Sequence, residues 1–435
     1  MSTQGKIVLE KEIAGRKWTF ETGELAKQAG GSVLVKCGET VVLAAVTCSV
    51  KPREGTDFFP MTVDYEERLY AAGKIPGGFF KREGRPPEKS ILTSRLIDRP
   101  LRPLFPDGFR NDVQIVTTVL SADQVVEPDI MALVAASAAL AVSDIPFPTP
   151  VGAVRIGMSP EGALIINPTL SEYQETKLNL VVAGTKKAIV MVEAGAAEVT
   201  EAEILEALRI GHETIKELVS AIEELSSKAG KPKREIPVYE PDKDLEALIR
   251  EHLMKQISAA MRIVEKAERE RAFESINKDA FLEILMKYTG SSRDRMLSLM
   301  TDGKGRDFDA IIKIIKEEEL RKMIVEEGRR PDGRKFDEIR PINCQVALLP
   351  RVHGSGLFTR GQTQVITSVT LGTLSEGQKI DGLGFEETKR YMHQYNFPPY
   401  SVGEVRMMRG PGRREIGHGA LAERALLPMI PNEEE

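Results

Sequence analysis

Cysteine and histidine are scarce in this 435-residue chain. The three cysteines, Cys37, Cys48 and Cys344, are odd in number and far apart, and the five histidines, His212, His252, His353, His393 and His418, never approach ligand spacing. That pattern excludes a disulfide framework and a Cys/His zinc site. Long apolar runs are missing too: no stretch reaches the roughly 18 residues a membrane-spanning helix needs. The opening segment MSTQGKIVLEKEIAGRKW has neither a secretory apolar core nor the Arg/Ser-rich, acid-poor character of a transit peptide. The expectation is a soluble, cytoplasmic protein with no membrane contact. A dominant charge is also absent, since 60 Lys and Arg stand against 65 Asp and Glu, a formal net charge of -5. Such a chain does not coat a polyanion with its whole surface, so any nucleic-acid contact must come from local basic clusters.

What is present is a repeat. The block GSVLVKCGETVVLAAVT at 31–47 aligns without gaps on GSGLFTRGQTQVITSVT at 354–370, with eight of 17 positions identical, where unrelated sequences would share roughly one. In each copy a glycine, Gly38 or Gly361, separates two β-branched stretches, which predicts strand, tight turn, strand. Farther on, Phe59-Pro60 answers to Phe397-Pro398 and KREG at 81–84 to RREIG at 413–417. The first copy continues through further strands, a small-residue helix at PDIMALVAASAALAVS and a long helix over 201–226. Nothing after Pro428 corresponds to these elements, and half a sheet with one apolar face uncovered is marginal alone, so the chain is expected to be a fragment of a longer one. Between the copies, KPKREIPVYEP at 231–241 is a Pro-punctuated linker. Beyond it Leu245, Leu248, Ile249, Leu253, Ile257, Met261 and Val264 recur at helical spacing, and Tyr288-Thr289-Gly290 supplies a turn signal. The fold expected is α/β (α+β): a first domain over 1–228, a linker over 229–241, an all-α domain over 242–327 and an incomplete second copy over 328–435.

Two segments carry candidate chemistry. Residues 81–102 hold seven basic residues (Lys81, Arg82, Arg85, Lys89, Arg95, Arg99, Arg102) against three acidic ones (Glu83, Glu88, Asp98), and Phe79-Phe80 precede them in a glycine-started loop. Aromatics that stack on bases beside cations that grip phosphates are what a single-strand site requires. A helix over 90–99, ended by Pro100, turns Arg95 and Arg99 toward buried surface, where each needs an anionic partner. The plain alternative is that Arg95 or Arg102 pairs with Asp98 or Glu88 and that both phenylalanines are core. In the second copy, Arg413, Arg414 and His418 fall just before an apolar helix starting near Gly419. A helix N-terminus with two arginines is a ready anion site, and His418 between two glycines could move a proton. The alternative there is surface ion pairing with Glu415 or Glu423 and a histidine that is only a turn residue.

GGFFKREGRPPEKSILTSRLIDRPLRPLFP at 77–106, RRPDGR at 329–334, GSGLFTRGQTQ at 354–364, YNFPPYSVGE at 395–404 and RREIGHG at 413–419 resemble, in order and across the whole chain, the bacterial polynucleotide phosphorylase family. The resemblance implies duplicated ribonuclease PH-like (ribosomal S5 domain 2-like) domains joined by a helical domain and assembled as a homotrimeric ring. It implies phosphorolytic 3'-to-5' degradation of single-stranded RNA in mRNA turnover, with inorganic phosphate as co-substrate and nucleoside diphosphates as products, and a reverse, template-free polymerisation. Phe79, Phe80, Lys81 and Arg82 fall on the family's RNA-gripping loop, although many relatives carry two arginines where this chain has Lys81-Arg82. Arg102 falls on an arginine important for activity, placed here with the RNA-binding residues. Arg413 and Arg414 fall on phosphate-handling positions, with His418 nearby. The family's Mg2+ or Mn2+ ligands, general-acid aspartate, serine-rich phosphate loop and KH-type and OB-fold modules are expected beyond Glu435, so no metal ligand is assigned in this chain and the chain alone is expected to be inactive. RNA-degradation complexes are expected partners. The alternative, from a different class, is a non-catalytic RNA-binding or ring-assembly module of the same fold.

Overall fold

The computed structural model describes residues 5–53, 55–174, 176–287, 306–384 and 387–431. Two compact units emerge, one from residues 1–238 with 374–435, the other from 239–373.

Alternating burial builds the first sheet of the first unit. β1 (Ile7–Ile13), β2 (Arg16–Thr22), β3 (Gly31–Cys37), β4 (Thr40–Cys48), β5 (Met61–Glu67) and β6 (Val113–Ser121) pair in the order β1-β2-β3-β4-β6-β5. Every second residue of β3 and the first seven of β4 is buried, the period of a strand with one covered face. All pairs are antiparallel except β5 with β6. A parallel pair needs a crossover, and that crossover contains α1 (Glu88–Leu101).

α2 (Pro128–Val142) is buried along all 15 residues. Its alanines let strands approach closely, and a helix apolar all round belongs inside. It packs on β3, β4 and β6 and also on β7 (Gly152–Met158). With β8 (Leu164–Ile166), β9 (Leu178–Gly184) and β10 (Ile189–Ala196), β7 forms an antiparallel sheet ordered β10-β9-β7-β8. The short α3 (Leu170–Gln174) precedes β9. α4 (Glu201–Ala229) is opened by a capping box in which Glu203 N donates to the Thr200 hydroxyl and Thr200 N to the Glu203 carboxylate. The following segment holds no regular element, yet it is strapped down: Lys233 Nζ donates to the carbonyls of Leu140, Ala141 and Ser143 at 2.8–2.9 Å, where α2 leaves its last acceptors free.

In the second unit α5 (Lys243–Met261), α6 (Lys266–Lys287) and α7 (Arg306–Val325) share a core. Asp242 caps α5 by accepting from Asp244 N and Leu245 N. Leu245 through Met261 of the helical pattern are buried. Val264 is not part of that stripe: the helix stops at Met261, because Glu265 starts the next one, accepting from Glu268 N. The turn signal at Tyr288-Thr289-Gly290 lies outside the described residues. β11 (Ile342–Val346), β12 (Gly354–Arg360) and β13 (Thr363–Val369) form a three-stranded antiparallel sheet. Its Gly354↔Val369 to Arg360↔Thr363 register repeats Gly31↔Val46 to Cys37↔Thr40 residue for residue. The covering differs: Val42 and Val46 are fully buried, whereas Val365 and Val369 are about half exposed.

The first unit is completed by β14 (Gln378–Ile380), which pairs with β15 (Glu387–Lys389), and by α8 (Arg413–Leu426).

Candidate nucleic-acid and anion site

The loop before α1 holds its aromatics outward. Phe79 is 93% and Phe80 87% exposed, edge to face with ring centroids 5.4 Å apart. A turn closed by Lys81 N donating to Gly78 O at 3.0 Å, with Lys81 at φ +49°, sets this shape. Lys81 Nζ reaches only Gly77 O at 3.4 Å. Arg82 is exposed and makes no hydrogen bond among the described residues. These two rings are not core.

α1 spans Glu88–Leu101 and so includes Pro100, then tightens into a 3-10 turn over Arg102–Leu104. Pro100 forfeits only the one bond its N–H would have given back to the Leu96 carbonyl, so the helix runs one residue past it and then tightens rather than stopping before it. Ser94 Oγ, which donates to Ser90 O and accepts from Tyr65 N at 3.0 Å, ties α1 to β5. Arg99 stays exposed instead of turning to buried surface, and pairs with Glu193, Nη1 to Oε2 at 2.5 Å. Arg102 is committed to the protein: it donates to Asp98, to Phe59 O at 3.0 Å and to Met61 O at 2.9 Å. The geometry therefore joins Arg102 to the Phe59 bend and not to the Phe79 loop.

α8 begins at Arg413, six residues before Gly419, so both arginines lie in its first turn and His418 in its second. Two features carry the helix through its glycines. Glu415 accepts from Gly412 N at 2.8 Å, closing the start. Gly417 leaves the space that the Arg95 side chain of α1 fills, since a Cβ at 417 would sit 2.3 Å from Arg95 Nε. Neither Glu415 nor Glu423 pairs with the arginines: Glu415 also accepts from Phe397 N at 2.8 Å, and Glu423 binds Lys389 at 2.6 Å.

Arg413 reaches β5, with Nη2 on Asp64 Oδ1 at 2.5 Å and Nη1 on Val63 O. Arg414 lies over the Phe397 ring, 5.4 Å to the centroid, a cation–π contact. His418 meets the Tyr395 ring edge to face at 5.4 Å. Tyr395 and Phe397 stack nearly parallel, and Tyr391 OH lies 3.0 Å from His393 Nδ1. Sequence reasoning missed Asp64, Tyr395 and Phe397 as neighbours of this site. The alternation of aromatic rings at 391, 393, 395 and 397 was the available signal, because every second residue of an extended segment shares a face.

Among the described residues no group of three or more His, Cys, Asp or Glu could hold a metal ion, and no helix is long and apolar enough to cross a membrane.

A repeated α/β half, a helical segment, an outward aromatic–basic loop and an arginine-bearing helix start define a protein of duplicated ribonuclease PH-like architecture. The chain belongs to the 3' exoribonuclease family: domain 1 of that family matches twice, at 14–146 and 338–435, and its domain 2 matches at 149–214. A third model, the RNA binding domain of polyribonucleotide nucleotidyltransferase, matches 244–335. Relatives of that name are 55% identical over 98% of this chain in Heliobacterium modesticaldum and in Alkaliphilus oremlandii, and 53% identical over 99% in Geobacillus kaustophilus. The chain spans 58%, 59% and 58% of the length of these three relatives.

Proposed function

We propose that this chain supplies the RNA-gripping loop and part of the phosphate site of a polyribonucleotide nucleotidyltransferase. In that reaction inorganic phosphate attacks the 3'-terminal phosphodiester of single-stranded RNA, the bond to the neighbouring 3'-oxygen breaks, and a nucleoside diphosphate leaves; the reverse reaction elongates RNA. The observation that carries the reading is the start of α8, where Arg414 holds a guanidinium against Phe397 with no hydrogen-bonded carboxylate among the described residues. Attack of one anion on another needs positive charge fixed in advance, and a helix start bearing arginines supplies it. Arg413, Arg414 and His418 are read as this group, with His418 as its proton donor. Phe79 and Phe80 offer faces for bases, and Lys81 and Arg82 offer charge for phosphates. Arg102, by its bonds to the Phe59 bend, supports the scaffold of this site. Mg2+ or Mn2+, a homotrimer, a cytoplasmic location and RNA-degradation partners belong to the same reading and rest on the resemblance alone.

The test is release of ADP from poly(A) by this chain fused to those parts of the Heliobacterium modesticaldum relative that lie outside the match. Release that depends on phosphate and Mg2+ is expected; no release, or phosphate-independent formation of AMP, overturns the reading. The 435-residue chain alone is expected to bind oligo(A) and release nothing. The outward Phe79-Phe80 pair equally suits a second reading, a non-catalytic RNA-binding or ring-assembly module. It predicts binding without release in the fused protein as well.

A further inference from the structure

The tandem arginines at the start of α8 are not equivalent. Arg413 is held by Asp64 Oδ1 at 2.5 Å and by the Val63 carbonyl, and Asp64 is itself oriented, its Oδ2 accepting from Gln114 Nε2 at 3.1 Å. Three elements thus fix one guanidinium: β5 gives the acceptors, β6 gives Gln114 and α8 gives the arginine. Consecutive helical residues point about 100° apart, so Arg414 leaves in another direction. It rests on Phe397, whose backbone N–H is bonded to Glu415 in the same turn, and it makes no hydrogen bond among the described residues.

We propose that Asp64 is a positioning residue for the anion site, and that Arg413 is the anchored member of the pair while Arg414 is the member that meets inorganic phosphate. This rests on reading the start of α8 as a phosphate site. A guanidinium neutralised by a carboxylate attracts a second anion weakly, and a phosphate arriving at Arg413 faces the Asp64 charge. Arg414 keeps its charge and its donors. Asp64 and Arg413 both remain partly exposed, so the pair contributes little to overall stability; its effect is to fix the first turn of α8, and with it Arg414, against the first sheet. Asp64 lies on the first copy and Arg414 on the second, so the first copy positions a phosphate-binding group that the second presents.

Phosphate titration of the 435-residue chain, followed through the arginine side-chain N–H resonances, tests the assignment. The Arg414 signal is expected to shift and that of Arg413 to stay. Arg414→Gln is expected to weaken phosphate binding about tenfold or more, the loss of a charge-assisted hydrogen bond. Asp64→Asn and Arg413→Gln should each weaken it by a smaller factor, with unchanged melting temperature, and the double variant should be no weaker than either single one. Asp64→Glu should restore part of the affinity. If Asp64→Asn tightens binding, Asp64 competes with phosphate for Arg413 and the assignment is wrong; it is equally wrong if Arg413→Gln loses as much as Arg414→Gln. If neither arginine of the unaltered chain responds to phosphate, the phosphate reading of the site itself falls.

Discussion

Gly38 and Gly361 hold the same backbone conformation, φ +61° in each, at the first position of the two corresponding hairpin turns. That region favours glycine, and a side chain there costs about 1–2 kcal/mol. The surroundings differ. A Cβ at Gly38 would stand 2.7 Å from Asp123 Oδ2, whereas at Gly361 it would meet the movable Arg340 side chain at 3.1 Å. Gly38→Ala should therefore lower hydrogen-exchange protection across β3 and β4 more than Gly361→Ala lowers it across β12 and β13. Equal losses would mean that only backbone strain matters.

Asp123 makes the first turn sensitive to acid. Burial alone would raise its carboxyl pKa, but hydrogen bonds from Val126 N, Val125 N, the Thr40 hydroxyl and Glu39 N outweigh it and hold the group below its ordinary value of 3.8. A depressed carboxylate contributes stability that is complete above about pH 3.8 and is lost as pH falls through the folded value. Asp123→Asn should cost about 1.5–3 kcal/mol at pH 7, the scale of hydrogen bonds to a charged group. Melting temperatures of the two forms should converge below pH 3.8; a constant gap down to pH 2 would assign the loss to something other than the charge.

A buried ion cluster sits at the first turn of α2. Arg155 of β7 contacts Asp129, lies 3.8 Å from Glu127 and donates to Asn179 at 2.7 Å, while Lys89 of α1 reaches Glu127 at 3.0 Å. Arg155 and Asp129 are both nearly inaccessible. Arg155→Met strands Asp129 in the interior, and removing one partner of such a pair typically costs about 3–5 kcal/mol. Arg155→Met combined with Asp129→Leu should recover much of that loss, since a packed apolar pair replaces a buried ionic one at little cost. Thermal melting of the three forms separates these outcomes. A double variant no better than Arg155→Met would show that the wider network, and not the stranded charge, sets the stability.

The repeat was readable because a turn that favours glycine leaves a fixed mark between β-branched stretches, and the register repeats residue for residue. The buried α2 was readable from its small apolar residues. The start of α8 was misplaced because Gly417 and Gly419 look like helix breakers. They are tolerated because the Arg95 side chain packs against Gly417 and the His393 carbonyl against Gly419, contacts that no local pattern contains. Asp64 and Arg413 stand far apart in the chain, and nothing in either segment points to the other. Arg102 carried two readings on spacing alone, and its bonds to Phe59 O and Met61 O lie on neighbours only the fold supplies.

Phe79 and Phe80 have almost no role in holding the fold, because both rings are nearly fully exposed and their ring contact is with each other. An exposed aromatic pair loses little stability on truncation, but as a stacking surface each base it holds is worth about 1–3 kcal/mol. Phe79→Ala with Phe80→Ala should therefore leave the melting temperature within a degree or so while weakening oligo(A) binding by about tenfold or more. Lys81→Ala with Arg82→Ala should act differently, flattening the dependence of affinity on salt, because those side chains neutralise phosphates and release counterions. Fluorescence anisotropy of labelled oligo(A) at two salt concentrations reads both effects. Unchanged affinity in the phenylalanine variant, with the salt slope of the basic variant also unchanged, would place the RNA path elsewhere on the molecule.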